Sequence, residues 1–120
     1  VVRITPDVGR NILFLELSGR PTEAEVALVE GQLTEVLARL KPPFDVVSDV
    51  RRLESLDALP LPDATRVASL LAKTRVRRVV RVVGKSSAAA MQMERVARVL
   101  GHSAHLAFSP DEAVALLSPR

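Results

Sequence analysis

The sequence predicts a single α/β domain built on a mostly parallel, five-stranded sheet whose first strand runs antiparallel. Three observations point there. Short β-branched runs alternate with amphipathic stretches along the whole chain. The first two apolar runs are separated only by a turn, which favours an antiparallel pair. The later strands are each separated by a helix-bearing link longer than the roughly ten to twelve residues that a parallel crossover needs. The expected order is ββαβαβαβα, with right-handed crossovers.

Each element has a local reason. "VVRI" (1–4) and "NILFLEL" (11–17) flank "TPDVGR", whose Pro, Asp and Gly read as a turn. "SGRP" breaks the second strand. Thr22 and Glu25 have the spacing of a capping box, N-cap and N3. Val26, Val29, Leu33, Val36, Leu37 and Leu40 then recur at steps of three and four, one apolar stripe of a helix over about 23–40 that "KPP" ends. "FDVVSDV" (44–50) is the third strand and "RRLESLDALPLP" (51–62) a loop. "DATRVASLLAKT" (63–74) is a second helix with Val67, Leu70 and Leu71 inward. "VRRVVRVVG" (76–84) is the fourth strand. A third helix spans about 87–100, capped by Ser86 or Ser87, stopped by Gly101 and burying Met93, Val96, Ala97 and Leu100. "AHLAF" (104–108) is the fifth strand. Ser109, Pro110 and Glu112 then open a last helix as N-cap, N1 and N3.

Composition bounds the function classes. The chain has 120 residues, 48% apolar and 26% charged, which suits one globular domain over 1–120. Its packing stock is aliphatic, with three Phe and no Trp or Tyr. Without cysteine there is no disulfide, thiolate nucleophile or Cys-ligated zinc. No apolar run approaches the roughly 18 residues of a membrane span, and the charged, turn-like "VVRITPDVGR" does not read as a signal peptide. A cytoplasmic location is the expectation, with no membrane and no cofactor. Net charge is +3, and all but Lys41, Lys73 and Lys85 of the 17 basic residues are arginine. Single-stranded nucleic-acid modules stack bases on aromatics. Such residues are nearly missing here, so no nucleic-acid partner is expected.

Gly84-Lys85-Ser86 after a valine run has the ending of a phosphate-binding loop. That loop needs a glycine five residues before Gly84, and Val79 stands there, inside a predicted strand. What survives is anion binding by Lys85, Ser86 and Ser87 at the start of the third helix, against the plainer reading of a strand-to-helix turn. His102 and His105 are spaced H-x-x-H but straddle Gly101 and a strand start, and no Cys or acidic cluster completes a metal set. Ser48, Asp49 and Asp57 lie at or beyond the C-terminal end of the third strand, where open α/β sheets bind ligands. No histidine is tied by motif to Ser48 or to Ser109 and no G-x-S-x-G elbow exists, so no catalytic residue is assigned and no enzyme is expected. Asp49 is expected to bond loop amides.

The arginines of 75–83 interrupt what a doubly buried strand shows as unbroken aliphatics. With period two, Arg75, Arg77, Val79, Arg81 and Val83 share one face. Either that face is uncovered, or its arginines pair with acids such as Glu16. An open Arg/Val face suits protein association; a solvated face with arginine stems lying over valines fits equally.

The order of elements and the stretches "ELSG", Asp49-Val50, Leu53-x-x-Leu56-Asp57 and "VVRVVG" resemble the STAS domain of anti-sigma factor antagonists, the SpoIIAA-like fold, and are closer to its uncharacterised branch. The resemblance covers nearly the whole chain. It implies a non-enzymatic protein-interaction module, regulatory or scaffolding, with a protein partner that can include a second copy of the chain. In the regulatory branch the loop reads Asp-Ser-Ser-Gly, and a serine there is phosphorylated. Here Asp57 is followed by Ala58, Leu59 and Pro60, which offer no hydroxyl to phosphorylate. Asp57, Arg51, Arg52 and Arg66 around that loop, with Arg77 and Arg81 on the fourth strand, are the expected partner contacts. The alternative is a carrier of a small apolar or anionic ligand, by analogy with lipid-binding domains of the same superfold.

Overall fold

The computed structural model describes residues 2–54, 75–83 and 105–117. Five strands form one sheet in sequence order: β1 (Val2–Asp7), β2 (Ile12–Gly19), β3 (Phe44–Leu53), β4 (Val76–Val82) and β5 (His105–Ala107). β1 pairs antiparallel with β2, and every later pair is parallel. Helix α1 (Glu23–Leu37) follows β2, and α2 (Pro110–Leu117) follows β5. The helices expected at 63–74 and 87–100 lie outside the described residues.

β1 runs further than its turn-like letters suggest. Thr5, Pro6 and Asp7 pair with Phe14, Leu13 and Ile12, leaving only 8–11 as the turn. Proline is tolerated because β1 is an edge strand, where a ladder donor is dispensable. β3 also runs on, through Arg51 and Arg52 to Leu53, instead of opening a loop at 51. Ser18 and Gly19 pair with Arg52 and Leu53, and the Glu54 amide donates to the Gly19 carbonyl at 2.8 Å. Gly19 then leaves the strand at φ +64°, a conformation that favours glycine.

Helices α1 and α2 cover opposite faces of the sheet. On the α1 side, Leu13, Phe44 and Val46 pack with Leu33 and Leu40. On the α2 side, Ile12, Val47, Val80, Val82 and Ala107 pack with Ala113 and Leu117. The Thr22–Glu25 capping box forms as its spacing predicts. The α1 helix itself stops at Leu37, and the amides of Arg39 and Leu40 close tight turns onto Val36 and Leu37, which still buries Leu40 against the sheet. At α2 the Ser109 hydroxyl accepts the Glu112 amide at 3.1 Å, while the Glu112 carboxylate accepts the amide of Phe108, one residue before the cap.

Asn11 joins the β1–β2 turn to the segment entering β3. Its Nδ2 donates to the carbonyls of Lys41 (2.7 Å) and Pro43 (3.2 Å), and its Oδ1 accepts the Lys41 amide at 2.8 Å. Its backbone sits at φ 58°, which asparagine tolerates better than most residues. Asn11 therefore stands at the N-terminal rim of the parallel strands and holds two connections together there.

Candidate functional site: the charged ends of β3 and β4

β3 carries an acid at each end of one face, Asp45 and Asp49, on either side of Val47. β4 brings arginines to the first of them through a bulge. Phe44 pairs with Val76, but Val46 pairs with Val79, so β4 spends one residue more than β3 over this stretch. Val76 and Val79 consequently both pack on the α1 side although three residues separate them. The adjacent Arg77 and Arg78 both reach Asp45. Arg77 Nε donates to Oδ1 at 3.0 Å and its Nη2 donates to Oδ2, while Arg78 Nε stands 3.6 Å from Oδ1. Arg78 also donates to the carbonyls of Leu117 (2.7 Å) and Leu116 (3.4 Å). The last turn of α2 has no basic residue of its own, so the sheet supplies the cation that its terminal carbonyls favour.

Asp45 is only 2% exposed. Burial pushes its carboxyl up, but the hydrogen bonds and charge of Arg77, with the charge of Arg78, outweigh that and hold it below the ordinary aspartate value. Arg77 and Arg78 thus do pair with an acid on another strand, and that acid is Asp45.

Period-two alternation places Arg81 on the face of Arg77, either uncovered or paired with acids; in the structure Arg81 lies on the other face and is 4% exposed. The bulge resets the alternation, so that Arg81 shares the α1 side with Val79 and pairs in register with Ser48. Arg81 is therefore enclosed on the α1 side, whereas Arg77 keeps an exposed side chain.

Near the C-terminal end of β3, Asp49 bonds a following backbone amide, though one within the strand and not in a loop. Its Oδ1 accepts the Arg51 amide at 3.1 Å, and Arg51 folds back with Nε on Oδ1 (3.0 Å) and Nη2 on Oδ2 (2.8 Å). A second bulge makes the clamp possible: Glu16 pairs with Asp49 but Ser18 with Arg52, so β3 here carries the extra residue. Burial raises the Asp49 carboxyl, and the Arg51 hydrogen bonds more than reverse it, leaving a net lowering. Arg51 is therefore committed within the chain, and its neighbour Arg52 is exposed.

Ser48 lies between the two acids on the opposite, α1 face. Its hydroxyl oxygen is enclosed and meets no hydrogen-bond partner. A buried hydroxyl without a partner costs on the order of 1–3 kcal/mol of desolvation. Ser48→Ala is expected to leave stability unchanged or raise it by about 1 kcal/mol. A loss of that size in urea denaturation would mean the hydroxyl is bonded.

The solved structures place this architecture. A crystal structure of an uncharacterised protein of the DUF3478 family from Shewanella loihica PV-4, with a SpoIIAA-like fold, matches 98% of this chain and 93% of its own, with a TM-score of 0.70 at 16% sequence identity. The fold is SpoIIAA-like. No protein-family model and no curated protein matches the chain.

Within the SpoIIAA-like sheet, the other sequence candidates fall as follows. Val79 pairs with Val46 inside β4, so the position where a phosphate-binding loop needs glycine is committed to the sheet. Lys85, Ser86 and Ser87, together with Asp57, Arg66 and His102, lie outside the described residues. His105 is exposed at the start of β5, and among the described residues no group of three His, Cys, Asp or Glu side chains could hold a metal ion. No helix among the described residues is long and apolar enough to cross a membrane. Sequence reasoning missed Asp45 and Asn11. An acid inside the aliphatic run "FDVVSDV" was the available signal for Asp45; an Asn in a turn is too common to be one for Asn11.

Proposed function

We propose that the chain is a non-enzymatic STAS-like protein-interaction module that works without phosphorylation of its β3-following loop. The supporting observation is the SpoIIAA-like sheet together with the charged C-terminal end of β3. There the Asp49–Arg51 clamp leaves Arg52 exposed, a few residues before Asp57 in the sequence, where neither neighbour of that aspartate is a serine. A partner meets Arg52 and the charges of Asp57 and Arg66 as fixed features, so recognition is constitutive. The Arg52→Glu, Asp57→Lys and Arg66→Glu triple reversal is expected to abolish recovery of that partner from a lysate of the native organism. Unchanged recovery removes the reading.

A second reading is favoured by Ser48 and Arg81, buried as cross-strand neighbours on the α1 face. In this reading a buried hydroxyl and guanidinium receive the anionic end of a small ligand. Native mass spectrometry of the purified protein tests it: a co-purified mass supports the carrier, and the bare monomer mass counts against both the carrier and self-association.

A further inference from the structure

We infer that the N-terminal rim of the parallel strands, opposite the end considered above, is a second docking surface that takes an acidic, carboxylate-bearing segment of a partner protein. Four cations are brought to this rim by backbone contacts. Asn11 ties the turn carrying Arg10 to Lys41 and Pro43, and the Phe44 amide donates to the Arg75 carbonyl at 3.1 Å, which sets Arg75 and then Arg77 beside the same edge. All four side chains reach solvent. Arg10 is answered by Asp7 at 3.1 Å. Lys41 and Arg75 form no ion pair among the described residues.

Arg77 is the anchor. Asp45 engages its Nε and Nη2 side-on, and Asp45 is itself held in the sheet. The guanidinium is therefore already oriented, with its Nη1–Nη2 edge still able to grip one more carboxylate end-on. With the Arg77 side chain 51% exposed, that edge is accessible, and little rotamer freedom remains to be lost on binding. Val8, Pro42 and Pro43 are exposed beside these cations and add an apolar ledge on which a peptide's side chains can rest.

The rim suits a peptide better than a phosphate polymer or a lipid surface. Its described segments, 8–11, 41–43 and 75–77, carry no aromatic side chain on which a base could stack. Polybasic attraction to anionic lipid takes clusters of roughly four to eight free cations. Among the described residues Lys41 and Arg75 meet no carboxylate, while Arg10 and Arg77 already share one each.

The test uses the full chain and a short fluorescein-labelled peptide of alternating Glu and Leu, read by fluorescence anisotropy at low salt. Binding is expected to weaken about ten-fold in Lys41→Glu/Arg75→Glu, a loss of roughly 1.4 kcal/mol. It is expected to weaken also in Arg77→Lys, which keeps the charge but lacks the fork, and to be unchanged in Arg20→Glu, an exposed cation just beyond β2 at the other end of the sheet. Circular dichroism checks that each variant is folded. No binding by the wild-type chain, an equal loss in Arg20→Glu, or tighter binding to phosphatidylserine vesicles or oligothymidylate than to the peptide overturns the inference. None of these substitutions touches Arg52, Asp57 or Arg66, so this outcome and the fate of the proposed function are read from different variants.

Discussion

Asp45→Ala is expected to lower the unfolding free energy by about 2–3 kcal/mol, the largest single effect among the polar residues of the sheet. Removing one partner of a fully buried ion pair costs about 3–5 kcal/mol, because the other charge is left uncompensated in a dry place. Here the cost is smaller, since the side chains of Arg77 and Arg78 are 51% and 35% exposed and can turn toward water. The order of effects follows from burial and partners. Arg78→Ala loses the bonds to the α2 carbonyls as well as the charge near Asp45, and is expected to cost more than Arg77→Ala, which removes a half-solvated group. Urea midpoints at constant m-value measure all three. If Asp45→Ala is no worse than Arg77→Ala, the cluster is not anchored on the acid.

The same aspartate shapes the acid limb of stability. Its native pKa lies below the ordinary 3.8. A depressed carboxylate binds fewer protons in the native than in the unfolded state. Its contribution is therefore fully present above the unfolded value, and it disappears as pH falls through the native one. The wild-type chain should lose stability below about pH 4, and Asp45→Asn should flatten that slope while lowering the plateau at neutral pH. The opposite pattern, a steeper acid limb in the variant, would contradict the lowered value. Asp49 is shifted in the same direction, so some slope remains in Asp45→Asn.

Asn11→Ala is expected to cost about 2–3 kcal/mol. Three hydrogen bonds to the 41–43 segment are lost, each contributing roughly 0.5–1.5 kcal/mol net, with the smaller figure apt for bonds near the surface. Alanine at φ 58° adds strain on the order of 1 kcal/mol. Asn11→Gly loses the same bonds but relieves the strain, so it should be milder by about 1 kcal/mol. Equal midpoints for the two variants would show that the backbone conformation carries no cost. In either variant the two connections that Asn11 holds are released, so the rim that collects Arg10 and Lys41 should also bind the acidic peptide more weakly.

What the chain shows on its face is local in origin. Thr22 and Glu25 announce a capping box because both halves of it lie within one turn. Ser109 and Glu112 announce the start of α2 for the same reason, although the glutamate reaches the amide of Phe108. The parallel order follows from link lengths, and Asp49 bonding a following amide needs only two residues of chain. The ββ start and the helix-separated strands thus specify a mostly parallel sheet with an antiparallel first strand, and the stretches "ELSG" and "VVRVVG" add the resemblance to the SpoIIAA-like fold.

Pairing decided the rest. Strict alternation places Arg81 on one face with Arg77, and the bulge against Asp45 sends the two to opposite sides of the sheet. β3 reads as finished at Val50, yet Ser18 and Gly19 offer it a neighbour and carry it to Leu53. Asp45 becomes the partner of Arg77 and Arg78 across some thirty residues of sequence, and Asn11 finds Lys41 over a similar span. Side-chain period and capping depend on residues three or four apart, so a sequence exhibits them. A bulge depends on which residues of another strand stand opposite, and that is settled only when the sheet assembles.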